Sequence, residues 1–109
     1  PTYAKDLARN IMSIVQSQEF HQADFTTNIV HYSNEGVCSW YDFTKTIFEL
    51  TNIKCQVSPI ETKDYPTPAK RPHYSVLNKV KIKQTYNLTI PYWKDSLEQC
   101  LRASQNKAP

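Results

Sequence analysis

Residues 64–77 read Asp64-Tyr65-Pro66-Thr67-Pro68-Ala69-Lys70-Arg71-Pro72-His73-Tyr74-Ser75-Val76-Leu77 and form the most informative run of this 109-residue chain. Pro66, Pro68 and Pro72 fix φ, and each residue before a proline is pushed toward extended backbone. The run is expected to be a stiff, exposed loop carrying two tyrosines, an arginine and a lysine. That composition suits a surface that grips an anion or a planar ring. Arg71 is the leading binding candidate, because its planar guanidinium matches phosphate oxygens two at a time. The neighbouring prolines hold its backbone in advance. The alternative for Arg71 is a local ion pair with Asp64 or Glu61. Tyr65 and Tyr74 either stack on a ring or pack the loop, with packing favoured. Ser75 either bonds a phosphate or caps a turn, with capping favoured.

Outward from this loop the pattern alternates between helices and short extended runs. Leu7, Ile11, Ile14 and Val15 recur at helical spacing, so a first helix is expected from about Ala4 to Gln18, with Thr2 as its N-cap and Asp6 as a first-turn acid facing the helix dipole. Asn28 to Tyr32 reads as a short strand, followed by a turn at Ser33-Asn34-Glu35-Gly36. Ser39 with Asp42 three residues on makes a capping-box start. The second helix runs to about Thr51, with Trp40, Phe43, Ile47 and Leu50 as its stripe. Ile53, Cys55 and Val57 alternate with polar residues, the signature of a half-buried strand. Asn78 is placed to cap a third helix to about Tyr86. Pro91 suits the first turn of a fourth, lined by Trp93, Leu97, Cys100 and Leu101. The tail from Ala103 is expected to fray.

Composition bounds the function classes. Apolar residues make up 39% of the chain, below the roughly 45–50% of ordinary globular domains. The net charge is +3. Lys70-Arg71, Lys79, Lys81 and Lys83 form either a solvated basic face or an attraction for a nucleotide diphosphate. They form no dense run, which argues against nucleic acid. Cys38, Cys55 and Cys100 are scattered, as expected of reduced thiols in a cytoplasmic protein. No apolar run is long enough to span a membrane. His21, His31 and His73 lack metal-ligand spacing, and His31 reads as a core histidine. Asn87-Leu88-Thr89 matches a glycosylation triplet, a pattern common by chance. There is a single glycine, Gly36, so the chain cannot contain a glycine-rich dinucleotide-binding turn.

Four segments, taken together and in order, resemble the bacterial dTDP-4-dehydrorhamnose reductases, which are extended short-chain dehydrogenases. They are Pro1-Thr2-Tyr3-Ala4-Lys5-Asp6-Leu7-Ala8; His31-Tyr32-Ser33-Asn34-Glu35-Gly36 running into Ser39-Trp40-Tyr41-Asp42-Phe43; the run 64–77; and Pro91-Tyr92-Trp93. The resemblance implies an α/β fold: the C-terminal fragment of a Rossmann-type reductase, with about four helices and two short strands. Residues 1–109 would be one sugar-nucleotide-binding segment, opening at Pro1 inside a motif, with the cofactor-binding Rossmann half upstream and outside this chain. The parent would reduce dTDP-4-dehydro-L-rhamnose to dTDP-L-rhamnose with NADPH or NADH, in the cytoplasm, and is a candidate homodimer. Arg71, Tyr65, Tyr74, Ser75, Thr2 and Tyr3 would face the substrate. Some relatives use magnesium between subunits. Glu35 and Glu61 read as exposed acids, and no residue pattern here supports a metal site.

Tyr41 and Lys45 repeat the Tyr-x-x-x-Lys spacing by which short-chain dehydrogenases lower a tyrosine pKa for proton transfer. That reading is rejected, because the pair lies in a later helix of the resembled family and no cofactor unit precedes it. The chain carries no catalytic residue on this view, and alone it is expected to be inactive. Three alternatives stay open: an epimerase or other dehydrogenase on a different nucleotide sugar; a non-catalytic regulatory subunit, comparable to the reductase-like subunit of methionine adenosyltransferase; and a small binding module with no nucleotide affinity.

Overall fold

The computed structural model describes residues 1–22 and 27–106. The four expected helices are present: α1 (Ala4–Val15), α3 (Trp40–Thr51), α4 (Val80–Tyr86) and α5 (Trp93–Gln105). A four-residue helix, α2 (Gln18–His21), and a 3₁₀ turn at Thr62–Asp64 add to them. Helix α1 stops short of Gln18 because Ser17 restarts the chain: its hydroxyl donates to the Ile14 carbonyl at 2.8 Å and accepts the Phe20 N–H at 3.2 Å. Asp42 is shorter than the usual glutamate, yet the capping box at the start of α3 closes. The Ser39 hydroxyl accepts the Asp42 N–H at 3.1 Å, and the Asp42 carboxylate accepts the Ser39 N–H at 2.9 Å. Helices α3 and α4 both end on asparagines with positive φ, Asn52 at 56° and Asn87 at 48°, a conformation this side chain tolerates better than most.

Several local expectations are corrected. Thr2 does not cap α1; the N-cap is Tyr3, without a side-chain cap bond. The N-cap of α4 is Lys79 rather than Asn78, whose carboxamide oxygen accepts the Val80 N–H at 3.0 Å from one residue earlier. Pro91 lies before α5 rather than in its first turn. The reason is a backbone pairing: the Pro91 carbonyl accepts the Glu35 N–H and the Trp93 N–H donates to the Glu35 carbonyl, each at 2.9 Å. Helix α5 cannot start until that exchange is complete. It then continues to Gln105, so Ala103 is helical; residues 107–109 lie outside the described residues.

Neither expected strand forms among the described residues. The single bridge there is the parallel contact of Glu35 with Tyr92. Residues 28–32 read as a short strand and residues 53–57 alternate, but a strand needs a neighbour to complete its ladder, and no such neighbour is described. The sheet half of the α/β expectation is therefore not seen here. His31, with no sheet to bury it, is exposed.

The chain divides into two compact units, Pro1–Val37 with Leu77–Pro109, and Cys38–Val76. In the first, Ile82, Ile90, Trp93 and Leu97 form the buried apolar core. In the second, the one buried residue among those described is Thr46, whose hydroxyl donates to the Asp42 carbonyl at 2.8 Å.

Gly36 has φ +90°, and a Cβ there would run into the Tyr92 ring and reach 2.8 Å from Cδ1 of Trp93. Both strain and overlap oppose any side chain. Gly36→Ala is expected to lower stability by about 2–4 kcal/mol, measured by urea unfolding.

Candidate functional site

In the first unit the buried groups around the start of α1 are polar. Asp6 and Ser96 are each 1% exposed and Asn34 is 3%. Asn34 is the hub. Its carboxamide oxygen accepts the Tyr3 N–H at 2.8 Å. Its nitrogen donates to Ser96 Oγ at 2.8 Å, to Asp6 Oδ2 at 3.0 Å and, more weakly, to the Pro91 carbonyl at 3.3 Å. The Ser96 hydroxyl in turn donates to Asp6 Oδ2 at 2.5 Å. Arg9 reaches the other Asp6 oxygen at 3.4 Å from a mostly exposed position. One turn along α1, Asn10 donates to the Asp6 carbonyl at 2.8 Å and to the Tyr32 hydroxyl at 3.0 Å. Burial raises the Tyr32 phenol above its ordinary pKa, and the charge on Asp6 adds to this. Asp6 is thus in the first turn of α1, as expected, but serves as an interior acceptor.

Beneath this hub lies a second polar cluster. Lys79 is 6% exposed and its ammonium donates to the Asn34 carbonyl and to Glu35 Oε2, each at 3.0 Å. Lys83 meets Glu35 Oε1 at 3.0 Å. Glu35, read from sequence as an exposed acid, is a half-buried bridge between two lysines. Those lysines belong to α4 and its N-cap, so part of the basic cluster in the second half of the chain is engaged internally.

The candidates divide between the units. Thr2 is exposed and Tyr3 half-buried at the entry to α1 in the first unit. Arg71, Tyr65, Tyr74 and Ser75 are all exposed in the second unit, with Tyr65 at 68% and Tyr74 at 72%. The packing favoured for these two tyrosines, and the capping favoured for Ser75, are not found among the described residues. The loop is pinned locally instead: Thr67 donates to the Ala69 carbonyl at 2.8 Å, and Asp64 accepts the Glu61 N–H at 3.3 Å. Glu61 pairs with Lys63 at 2.7 Å. Among the described residues no carboxylate lies in ion-pair range of Arg71, so the alternative of a local pair is not realised.

Tyr41 and Lys45 sit one turn apart on α3, both half-buried, with no hydrogen bond joining them among the described residues. Burial raises the Cys38 thiol above its ordinary pKa, which disfavours a reactive thiolate. No group of three or more His, Cys, Asp or Glu among the described residues is placed to hold a metal ion. No described helix is long and apolar enough to cross a membrane. An open groove of about 440 Å³ lies beside α4, lined by Ile29, His31, Asn78, Val80, Lys81, Gln84 and Thr85; it contains none of the binding candidates.

Hydrogen bonds from Lys83, then Lys79, hold the Glu35 carboxyl below its ordinary 4.5, outweighing burial. A depressed folded pKa gives stability that is complete above the unfolded value and lost as pH falls through the folded one. The stability difference between wild type and Glu35→Gln is therefore expected to be constant near neutrality and to shrink as pH drops below 4.5. Urea titrations from neutral to acid pH measure it.

Comparison with known proteins places these features in a family. A family model described as the RmlD substrate binding domain matches residues 1–106. A dTDP-4-dehydrorhamnose reductase of Sinorhizobium fredii is 32% identical over 107 residues, covering 94% of this chain and 36% of that protein. One from Aggregatibacter actinomycetemcomitans is 34% identical, covering 90% of this chain and 35% of that protein. The spore coat polysaccharide biosynthesis protein SpsK of Bacillus subtilis is 30% identical over 94% of this chain and 33% of its own length. The crystal structure of a dTDP-4-dehydrorhamnose reductase from Clostridium acetobutylicum superposes with a TM-score of 0.81 at 36% identity, covering 96% of this chain and 35% of that one. The chain spans about a third of the length of these relatives. With the match running from its first residue to the end of α5, the chain belongs to the RmlD substrate binding domain family.

Proposed function

We propose that this chain is the nucleotide-sugar-binding, C-terminal part of a dTDP-4-dehydrorhamnose reductase. The longer protein would reduce the C4 ketone of dTDP-4-dehydro-L-rhamnose to give dTDP-L-rhamnose, with NADPH or NADH supplying the hydride. The family match over nearly the whole chain carries this reading. The cofactor site is assigned to the rest of the protein. The only glycine here, Gly36, is packed against Tyr92 and Trp93 and cannot cradle a pyrophosphate, so the residues of this chain do not fit that group. The longer protein is assigned to the cytoplasm.

Two features favour a chain built to pack within a larger protein. Helix α1 turns Asp6 and Asn10 inward and leaves its apolar stripe in the open, with Leu7 at 36%, Ile11 at 49% and Val15 at 41% exposure. Residues 28–32 and 53–57 carry strand patterning without strand partners among the described residues. The upstream Rossmann half is the proposed cover for the apolar stripe and the proposed partner for the extended runs. There the α/β architecture would be complete.

Within the binding role, Arg71 is assigned to the diphosphate, and Tyr65, Tyr74, Ser75, Thr2 and Tyr3 are each assigned to contact with the dTDP-sugar. Exposure of the loop and the absence of a carboxylate beside Arg71, among the described residues, support this. A second reading, action on a different nucleotide sugar, gains support from the match to a protein named for spore coat polysaccharide biosynthesis. Arg71→Ala in the reductase-length protein is expected to raise KM for the dTDP-sugar roughly tenfold or more, since charge-assisted hydrogen bonds are worth about 1.5–3 kcal/mol, with a smaller change in kcat. Unchanged KM would remove Arg71 from the site. Ile11→Glu is expected to destabilise the reductase-length protein by about 2–4 kcal/mol while barely changing the stability of the 109-residue chain, as compared by thermal melting.

A further inference from the structure

The geometry points to Asn34 as a positioning residue for the Thr2–Tyr3 segment, held in its working orientation by Ser96 and Asp6. This rests on the proposed placement of Thr2 and Tyr3 against the dTDP-sugar and goes further by naming what places them. Asn34 holds the chain at the residue where it enters α1, through a 2.8 Å bond from the Tyr3 N–H to its carboxamide oxygen. Tyr3 there is extended, with φ −80° and ψ 122°, and no side chain caps the helix to fix that entry. The carboxamide oxygen can accept this bond only if the amide nitrogen points the other way, toward Ser96 and Asp6.

Three features separate this arrangement from ordinary packing. First, a carboxylate, a carboxamide and a hydroxyl are all at most 3% exposed, where apolar residues of like volume would serve stability as well or better. Second, the bonds are directional and chained. Ser96 accepts from Asn34 and donates to Asp6, so its hydroxyl has one favourable orientation. Such a network defines one geometry more sharply than apolar contacts do. Third, the Asn34 backbone is itself anchored, its carbonyl taking a bond from buried Lys79. Both ends of the residue are fixed, and the Tyr3 N–H is held through it. Without Ser96, the Asn34 amide keeps Asp6 and the long contact to Pro91 and loses its shortest acceptor, while Asp6 loses the Ser96 donor, so the orientation of the carboxamide is held less tightly.

The test uses the reductase-length protein with Ser96→Ala, and Ile82→Val as a control. Ile82 is 2% exposed in the same unit and takes no part in the polar network. Kinetics are run well below the melting temperature of both variants, and dTDP binding is measured directly by calorimetry. Ser96→Ala is expected to raise KM for the dTDP-sugar and Kd for dTDP roughly three- to tenfold, the range of one net hydrogen bond, with KM for the nicotinamide cofactor unchanged. Ile82→Val is expected to melt earlier with KM and Kd as in wild type, and Ser96→Thr, which keeps the hydroxyl, to restore affinity. If Ser96→Ala does not fold, Ser96→Cys, which weakens both bonds, is read the same way. Wild-type dTDP affinity in a destabilised Ser96→Ala would overturn the inference while leaving the proposed function standing. Equal losses in Ser96→Ala and Ile82→Val would also overturn it. A folded wild type that neither turns over nor binds dTDP would overturn the proposed function, and the inference with it.

Discussion

One carboxamide organises the first unit of this chain. Asn34 is buried with every polar group of its side chain engaged, and through it three distant stretches meet: the entry to α1 at Tyr3, the turn at Glu35-Gly36, and the start of α5 at Pro91 to Ser96. The alternative state is costly. A carboxylate such as Asp6, removed from water without these donors, would carry a penalty of several kcal/mol. The same turn that presents Asn34 requires Gly36, because the Tyr92 and Trp93 rings leave no room for a Cβ. Asn34, Asp6, Gly36 and Trp93 of the first unit's motifs are therefore tied together by hydrogen bonds and close packing, while Thr2 is exposed and Tyr3 half-buried.

The second unit is the physical opposite. Its proline-rich run has almost no interior, and its arginine, lysine and tyrosines stand in solvent. Proline limits the conformations available to the unbound loop, so less entropy is lost when a ligand orders it. Arg71 is exposed, with no carboxylate in ion-pair range among the described residues. The first unit is a polar-locked framework, and the second carries a proline-stiffened, solvent-facing loop.

The helices were legible in the sequence because their signals are local. The Ser39–Asp42 box and the apolar spacing of α1 and α5 act within a turn or two of chain. What was not legible depended on distant partners. Asp6 looked like a first-turn acid, and its burial depends on Asn34 and Ser96, 28 and 90 positions away. Glu35 looked exposed because Lys79 and Lys83 lie more than forty residues on. Pro91 looked like a helix start, and a backbone exchange with Glu35 moved the helix onward. The alternation at Ile53, Cys55 and Val57 and the short apolar run at Asn28 to Tyr32 lack a described neighbour, so local pattern alone did not yield a sheet. Of the candidate site residues, Arg71, Tyr65, Tyr74, Ser75 and Thr2 are exposed and Tyr3 is half-buried; the framework residue Asn34 reads from sequence as a turn residue, since no short-range pattern distinguishes a turn asparagine from a buried hub.

The central claim is that this chain supplies nucleotide-sugar binding to a reductase whose cofactor chemistry lies elsewhere in the protein. The most direct measurement is NADPH and NADH oxidation with dTDP-4-dehydrorhamnose, using the reductase-length protein beside the 109-residue chain. Turnover by the longer protein and none by the chain alone is the expected result. Turnover by the chain alone would contradict the division and return Tyr41 and Lys45 to candidacy, and no turnover by a well-folded longer protein would contradict the reductase assignment.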